Sequence, residues 1–145
     1  MDDIIRKLKT PEECLLFAEI FADLARVTMR RAIELRAINL GNKSEVETAL
    51  WEAILAYEEV LSKKNGKRTL ASRTRQMIKR YGIIGAAERA VNRKIEAMGY
   101  KVLVDIGLHD LTFEAVIVRF PEVFSQQIVE LARSRLEEMG KINSE

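Results

Sequence analysis

The fold of this chain is decided by residues 44–66, which read SEVETALWEAILAYEEVLSKKNG. Ser44 is a good helix N-cap, and Glu47, three residues later, completes a capping box. The helical pattern ends at Asn65 and Gly66, which are typical of a helix C-terminus. This stretch therefore predicts one long amphipathic helix, because apolar side chains recur between the two signals at helical spacing. These side chains are Leu50, Trp51, Ile54, Leu55 and Val60.

A second long helix precedes this one. Thr10 can cap its first turn, Pro11 suits the first helical position, and the pattern stops at Gly41. Its length is unusual for a globular helix, so a break near residues 23–26 is an open alternative. Together the two helices predict an antiparallel hairpin over residues 10–64, in which the glutamates at positions 58 and 59 lie on a solvated face.

Residues 63–94 carry a strong positive charge. They contain eleven Lys and Arg residues and one acid, Glu88, for a net charge of +10. Because the whole chain has a net charge of +2, the remaining residues sum to −8. Such asymmetry indicates that the segment binds either a polyanionic partner or an acidic surface of the protein itself.

The basic segment and the C-terminal region both predict helices. Residues 69–98 predict a basic helix pair, in which the first helix ends at Tyr81, Gly82 separates the two, and the second runs to Met98. Residues 99–139 predict further C-terminal helices. Their first part is ambiguous, because Val102–Val104 and Val116–Val118 could pair as a β-hairpin. We favour two short helices there, with Asp110 as a cap.

The bulk composition agrees with a helical protein. Apolar residues make up 48% of the chain, charged residues 32%, and only two prolines occur. We predict an all-α fold: a single-domain helical bundle over residues 1–145, with a long N-terminal antiparallel helix hairpin and a smaller C-terminal helical cluster. The single cysteine, the lack of a membrane-length apolar run and the acidic N-terminus predict a cytoplasmic protein without a membrane partner.

The basic segment is the candidate binding site. Arg and Lys side chains on adjoining helices would contact phosphates with little regard to base sequence, and Gln76 is best suited to read a base edge. We predict a nucleic-acid-binding accessory or regulatory protein. The predicted contacts are Lys67, Arg68, Arg73, Arg75, Gln76, Lys79, Arg80, Arg89 and Arg93.

Several alternatives remain open at this point. Two helices that meet at Gly82 permit a helix-turn-helix, although Glu88 occupies the position where that motif has an inward apolar side chain. The spacing of Gly82 and Gly85 is that of a KH-domain GXXG loop, although Ile83 and Ile84 between them are typical of a core. The basic face could instead have no ligand, being solvated and paired with acidic residues of the same fold. The competing function is a helical protein-interaction or oligomerisation module, which binds an acidic protein surface or forms a homodimer through its long helices.

Few residues are suited to catalysis, and an enzyme ranks third. His109 could pair with Asp105, and Asp110 and Glu114 would share a helix face, but we favour a surface loop for His109 with Asp110 as a helix cap. Cys14 lies in a first helical turn, and its apolar neighbours predict burial. We predict no metal site, because Cys14 and His109 are too few ligands for zinc, and no cofactor.

The chain also carries a resemblance, over roughly residues 11–139. Residues 71–83, ASRTRQMIKRYGI, together with 113–116 and 121–125, resemble a group of small uncharacterised bacterial helical proteins. That group often has an aromatic residue in place of Arg75 and a histidine in place of Tyr81. The resemblance implies helices over residues 100–120 and a bacterial or phage setting, and it carries no known activity.

Overall fold

The computed structural model describes residues 2–41, 44–93 and 97–144. This part of the chain contains seven α-helices and no strand, which confirms the predicted all-α class. None of the described helices is both long enough and apolar enough to cross a membrane. The helices are α1 (Asp2–Ile5), α2 (Pro11–Asn39), α3 (Glu45–Asn65), α4 (Ser72–Val91), α5 (Ala97–Asp105), α6 (Phe113–Arg119) and α7 (Gln126–Ser144).

The two long helices begin and end at the predicted signals. The Thr10 side chain accepts a hydrogen bond from the Glu13 N–H at 3.1 Å at the start of α2. Ser44 accepts one from the Glu47 N–H at 3.3 Å at the start of α3. Gly66 ends α3 in the left-handed conformation, with φ of 68°. These side chains satisfy helix-end groups that would otherwise lack partners.

Helix α2 is not broken at residues 23–26. It continues for 29 residues, and an ion pair between Asp23 and Arg26 at 2.8 Å spans the suggested break. Only Ile33 and Ala37 of this helix are buried. Its N-terminal part therefore projects from the rest of the molecule.

Helix α3 lies at the centre of the fold. Nine of its 21 residues are buried, and it contacts α2, α4, α5 and α6. Leu50 and Ile54 belong to a core cluster shared with α4, α6 and α7. Leu55 and Val60 belong to a second cluster, with α2 and the region around α5. Helices α2 and α3 pack against each other, and their antiparallel direction stays a prediction.

The ambiguous stretch after residue 100 is helical. Helices α5 and α6 occupy it, as favoured above. Thr112, and not Asp110, caps α6 by accepting a hydrogen bond from the Ala115 N–H at 3.0 Å. Asp110 instead accepts two hydrogen bonds from Arg30 of α2. This ion pair ties the long helix to the turn that precedes α6.

Candidate nucleic-acid interface

The candidate site is built around a kink in α4. Gly82 has φ of 75° and ψ of 169°, a conformation that is essentially restricted to glycine. It separates two helical segments, residues 72–81 and 83–91. The second segment ends at Val91 and not at Met98 as predicted, and α5 begins at Ala97. The kink brings side chains from both segments to one solvent-facing corner.

A surface cavity of about 370 Å³ lies at this corner. We call it the basic pocket. Three of its lining side chains are exposed arginines, and its described lining contains no carboxylate. A guanidinium group offers five N–H donors in a planar fork that matches a phosphate. The lining residues are Met77, Arg80, Tyr81, Arg89, Asn92 and Arg93.

Neighbouring groups orient two of these arginines. The Arg89 guanidinium lies over the Tyr81 ring, 3.6 Å from its centroid. Arg93 Nη2 donates to Met77 Sδ at 3.2 Å, and a thioether sulfur is a weak acceptor. Stacking on a ring face leaves the edge N–H groups of a guanidinium able to donate elsewhere. The pocket therefore holds positive charge in place without neutralising it.

The positive surface extends along the first segment of α4. Arg73, Gln76 and Arg80 are spaced three, four and seven residues apart, so they share one helix face, and all three are exposed. Lys79 is exposed beside that face, and Lys67 is exposed in the turn before α4. Through Arg80, which also lines the basic pocket, these side chains extend the pocket as a largely cationic strip that contains four positive charges and Gln76.

Arg75 does not belong to this strip. It points away from Arg73 and forms a bidentate ion pair with Glu58 of α3, through Nε at 2.7 Å and Nη2 at 2.8 Å. The same carboxylate accepts the Ala71 N–H at 2.8 Å, at the start of α4. Glu58 is fully buried, so its predicted place on a solvated face is wrong. Arg75 stabilises the docking of α4 on α3, and its guanidinium is therefore not a phosphate contact as predicted.

The hydrogen bonds to Glu58 change its acidity. Burial alone would raise the pKa of this carboxyl group, because the charged form loses water. The hydrogen bonds from Arg75 and Ala71 outweigh burial and hold the pKa of Glu58 below its ordinary value. The carboxylate is therefore charged in the folded protein at neutral pH, and the ion pair is complete.

Arg68 is also partly neutralised. Its Nη1 lies 2.6 Å from Glu59 Oε1, which also accepts from Arg36 at 2.9 Å. Arg36 and Arg68 therefore share the single negative charge of Glu59. Arg68 is exposed, so it lies at the edge of the cationic strip with its charge reduced.

The structure argues against one alternative for this segment, the loop of a KH domain. Ile83 is buried in the main core cluster, and residues 83–85 are helical, so Gly82 and Gly85 do not frame an exposed backbone loop of the KH kind. Gln76, the predicted base reader, is exposed on the same face as two arginines. A backbone-contacting surface fits this geometry better than a loop that clamps nucleotides.

The residues considered for catalysis do not assemble a site. His109 is exposed, and Asp110 is occupied by hydrogen bonds from Arg30. Cys14 is also exposed, so its predicted burial is wrong. Across the part of the chain that the structure describes, no group of three or more His, Cys, Asp or Glu side chains could hold a metal ion. Burial raises the pKa of Glu114, but no hydrogen bond among the described residues joins this carboxyl group to His109 or Asp105.

Sequence reasoning missed three members of the basic pocket. Met77, Tyr81 and Asn92 line the pocket but were not among the predicted contacts, and Tyr81 is exposed beneath Arg89. The available signal was an aromatic residue directly before the kink glycine, followed by arginines on one face of the next segment. No family model, no curated protein and no solved structure matches the chain.

Proposed function

We propose that this chain is a nucleic-acid-binding accessory or regulatory protein that holds the sugar-phosphate backbone in the basic pocket. The observation that carries this proposal is the convergence of Arg80, Arg89 and Arg93 on one exposed cavity, where no carboxylate among the described residues pairs with them. Arginine forks bind phosphates by charge-assisted hydrogen bonds. A nucleic acid presents phosphates at regular spacing, which suits both the pocket and the strip beside it.

The cationic strip is expected to determine how many phosphates the protein contacts and how little it distinguishes between base sequences. Arg73, Lys79 and Lys67 would contact phosphates on either side of the one that occupies the basic pocket. Such contacts position a strand and carry no base information. Gln76 lies among them, and its amide could hydrogen-bond a base edge. We therefore expect binding to duplex and single-stranded probes, with modest sequence preference.

The first test is the salt dependence of binding to a short labelled duplex, measured by fluorescence polarisation. With four phosphate contacts, one in the basic pocket and three along the strip, raising salt from about 50 mM to about 200 mM is expected to weaken binding roughly 150-fold, because condensed counterions are released on binding. Arg80→Glu should weaken binding about tenfold or more and reduce the salt slope by about one contact.

The matched control is Arg133→Glu, which makes the same charge change at an exposed arginine of α7. It should alter affinity no more than about twofold, because Arg133 does not line the basic pocket. If Arg80→Glu and Arg133→Glu weaken binding equally, or if no probe binds at low salt, the proposed site is wrong.

A second test concerns the stack of Arg89 on Tyr81. Tyr81→Ala removes the ring that orients the guanidinium, and an exposed cation–π contact of this kind contributes about 0.5–1 kcal/mol, or roughly twofold to fivefold in affinity. Tyr81→Phe keeps the ring and should bind as the wild type does. The two titrations are compared at one salt concentration, and equal losses would show that the hydroxyl, and not the ring, matters.

A further inference from the structure

Helix α2 carries an apolar stripe that no part of the described chain covers. Six side chains form this α2 stripe, and each is at least 44% exposed. They recur every three or four residues, with one longer step, which places them on one face of the helix. Monomeric proteins rarely expose contiguous apolar surface of this extent. The stripe consists of Leu16, Ile20, Leu24, Val27, Leu35 and Ile38.

The α2 stripe faces away from the body of the protein. Ile33 and Ala37 form the face of α2 that packs on α3. At 3.6 residues per turn, Ile20 and Leu24 lie about 140–180° around the helix from Ile33. A second helix can therefore lie along the stripe without displacing α3.

The charges of α2 are segregated along its length. Residues 11–24 contain four acids and no Lys or Arg, whereas residues 25–39 contain four arginines and one acid, Glu34. Two copies of α2 side by side in parallel would oppose like charges. In the antiparallel direction the acidic half of each copy lies against the basic half of the other, which favours self-association in that direction.

We propose that α2 mediates an antiparallel homodimer in which two copies of the α2 stripe pack across a two-fold axis at the level of Ala22. In this register Ile20 of one copy lies opposite Leu24 of the other, and Phe17 lies opposite Val27. Phe17 already packs on Phe21, with ring centroids 4.6 Å apart. Each apolar contact occurs twice, as two-fold symmetry requires.

The same register pairs two opposite charges on the stripe side of the helix. Glu13 and Arg31 are separated by five helical turns and so point in the same direction. About the axis at Ala22, Glu13 of each copy faces Arg31 of the other. Arg31 now pairs only with Glu34 on its own helix, at 3.1 Å, and both side chains are exposed. Arg31 can therefore reach an intermolecular partner.

The interface has the size of a specific but modest dimer. The overlap covers residues 11–33 of each helix, which span about 35 Å and include four of the six stripe side chains, Leu16, Ile20, Leu24 and Val27. Two helices packed over that length bury on the order of 1,200 Å² in total, the lower end of the range for stable interfaces. We expect a dimer that dissociates on dilution through the micromolar range.

The test is the mass of the full chain, measured by sedimentation equilibrium at several concentrations. It uses a Cys14→Ser background, because this exposed thiol could form an intermolecular disulfide. The parent should shift from monomer to dimer with concentration. Leu24→Glu should remain monomeric, and its circular dichroism should be unchanged because Leu24 is 56% exposed and has no core contact to lose.

A charge exchange tests the direction of pairing. Glu13→Arg and Arg31→Glu should each raise the dissociation constant about tenfold, since each opposes like charges twice in the dimer. The double variant should recover the parent value to within about threefold, which a general loss of apolar contact would not allow. A monomer at every concentration, a mixture of larger species, or a double variant as weak as the single variants would overturn the proposal.

Discussion

Glu58→Ala is expected to lower the free energy of unfolding by about 3 kcal/mol. The substitution leaves the half-buried Arg75 guanidinium and the Ala71 N–H without their acceptor. Removal of one partner from a buried ion pair costs about 3–5 kcal/mol, and the partial exposure of Arg75 places this pair at the lower limit. Urea denaturation followed by circular dichroism gives the value.

Two comparisons separate this ion pair from ordinary surface pairs. Asp23→Ala breaks the exposed pair with Arg26 and should cost no more than about 0.5 kcal/mol. The double variant Glu58→Met with Arg75→Met should recover only the part of the loss that comes from Arg75, because apolar groups of similar size can replace a buried pair while the Ala71 N–H still lacks its acceptor. If the double variant lowers the free energy of unfolding by the sum of the losses for Glu58→Met and Arg75→Met, the two side chains act independently.

The same ion pair makes stability depend on pH. The pKa of Glu58 is lower in the folded protein than in the unfolded chain, because Arg75 and Ala71 outweigh the effect of burial. Its contribution is therefore fully present above about pH 4.3, the ordinary value for Glu, and is lost as pH falls through the lower folded-state pKa. Glu58→Gln should show a shallower loss of stability in acid than the wild type.

Gly82→Ala is the second substitution with a large expected effect. An alanine at φ of 75° and ψ of 169° carries backbone strain of about 1–3 kcal/mol, although its added methyl group meets no atom within 4 Å. Relief of this strain would straighten α4 and separate Tyr81 from Arg89. We therefore expect lower stability together with a loss of nucleic-acid affinity comparable to that of Arg80→Glu.

Gly140→Ala is the matched control for the kink. Gly140 lies in α7 without a positive φ, and an added methyl group again meets no atom within 4 Å. This substitution should stabilise the protein by up to about 1 kcal/mol, because alanine is the better helix former, and binding should not change. Equal destabilisation by both alanines would show that the conformation of Gly82 is not the cause.

Local signals predicted most of the helices. Capping residues such as Thr10 and Ser44 act within one helical turn, so their effect can be recognised from sequence alone. The continuity of α2 could not be recognised in this way, because Arg26, at the suggested break, donates to the Asp105 carbonyl oxygen, which lies far away in the chain. The end of α4 at Val91 was missed for lack of a glycine or proline at that point.

The candidate site was predicted in part, and the errors in the prediction arise where α4 contacts α3. Spacing along one helix placed Arg73 and Arg80 together, as the structure has them, whereas Arg75, which was predicted among the same contacts, pairs with Glu58. It did not reveal that Glu58 is buried, because charge suggested solvent. The signal was present, since Glu58 follows Leu50 and Ile54 at four-residue intervals and so extends a buried face.

Because Arg75 anchors α4 on its inner side, selection for folding and selection for ligand binding act on different residues of this helix. Attachment to the scaffold depends on Arg75, whose ion pair with Glu58 lies on the side away from Arg73. Substitutions at Arg73, Gln76 or Lys79 alter only solvent-facing groups, which usually change stability by less than about 0.5 kcal/mol. The outer half of α4 can therefore diversify, and so acquire new ligands, while the architecture beneath it persists.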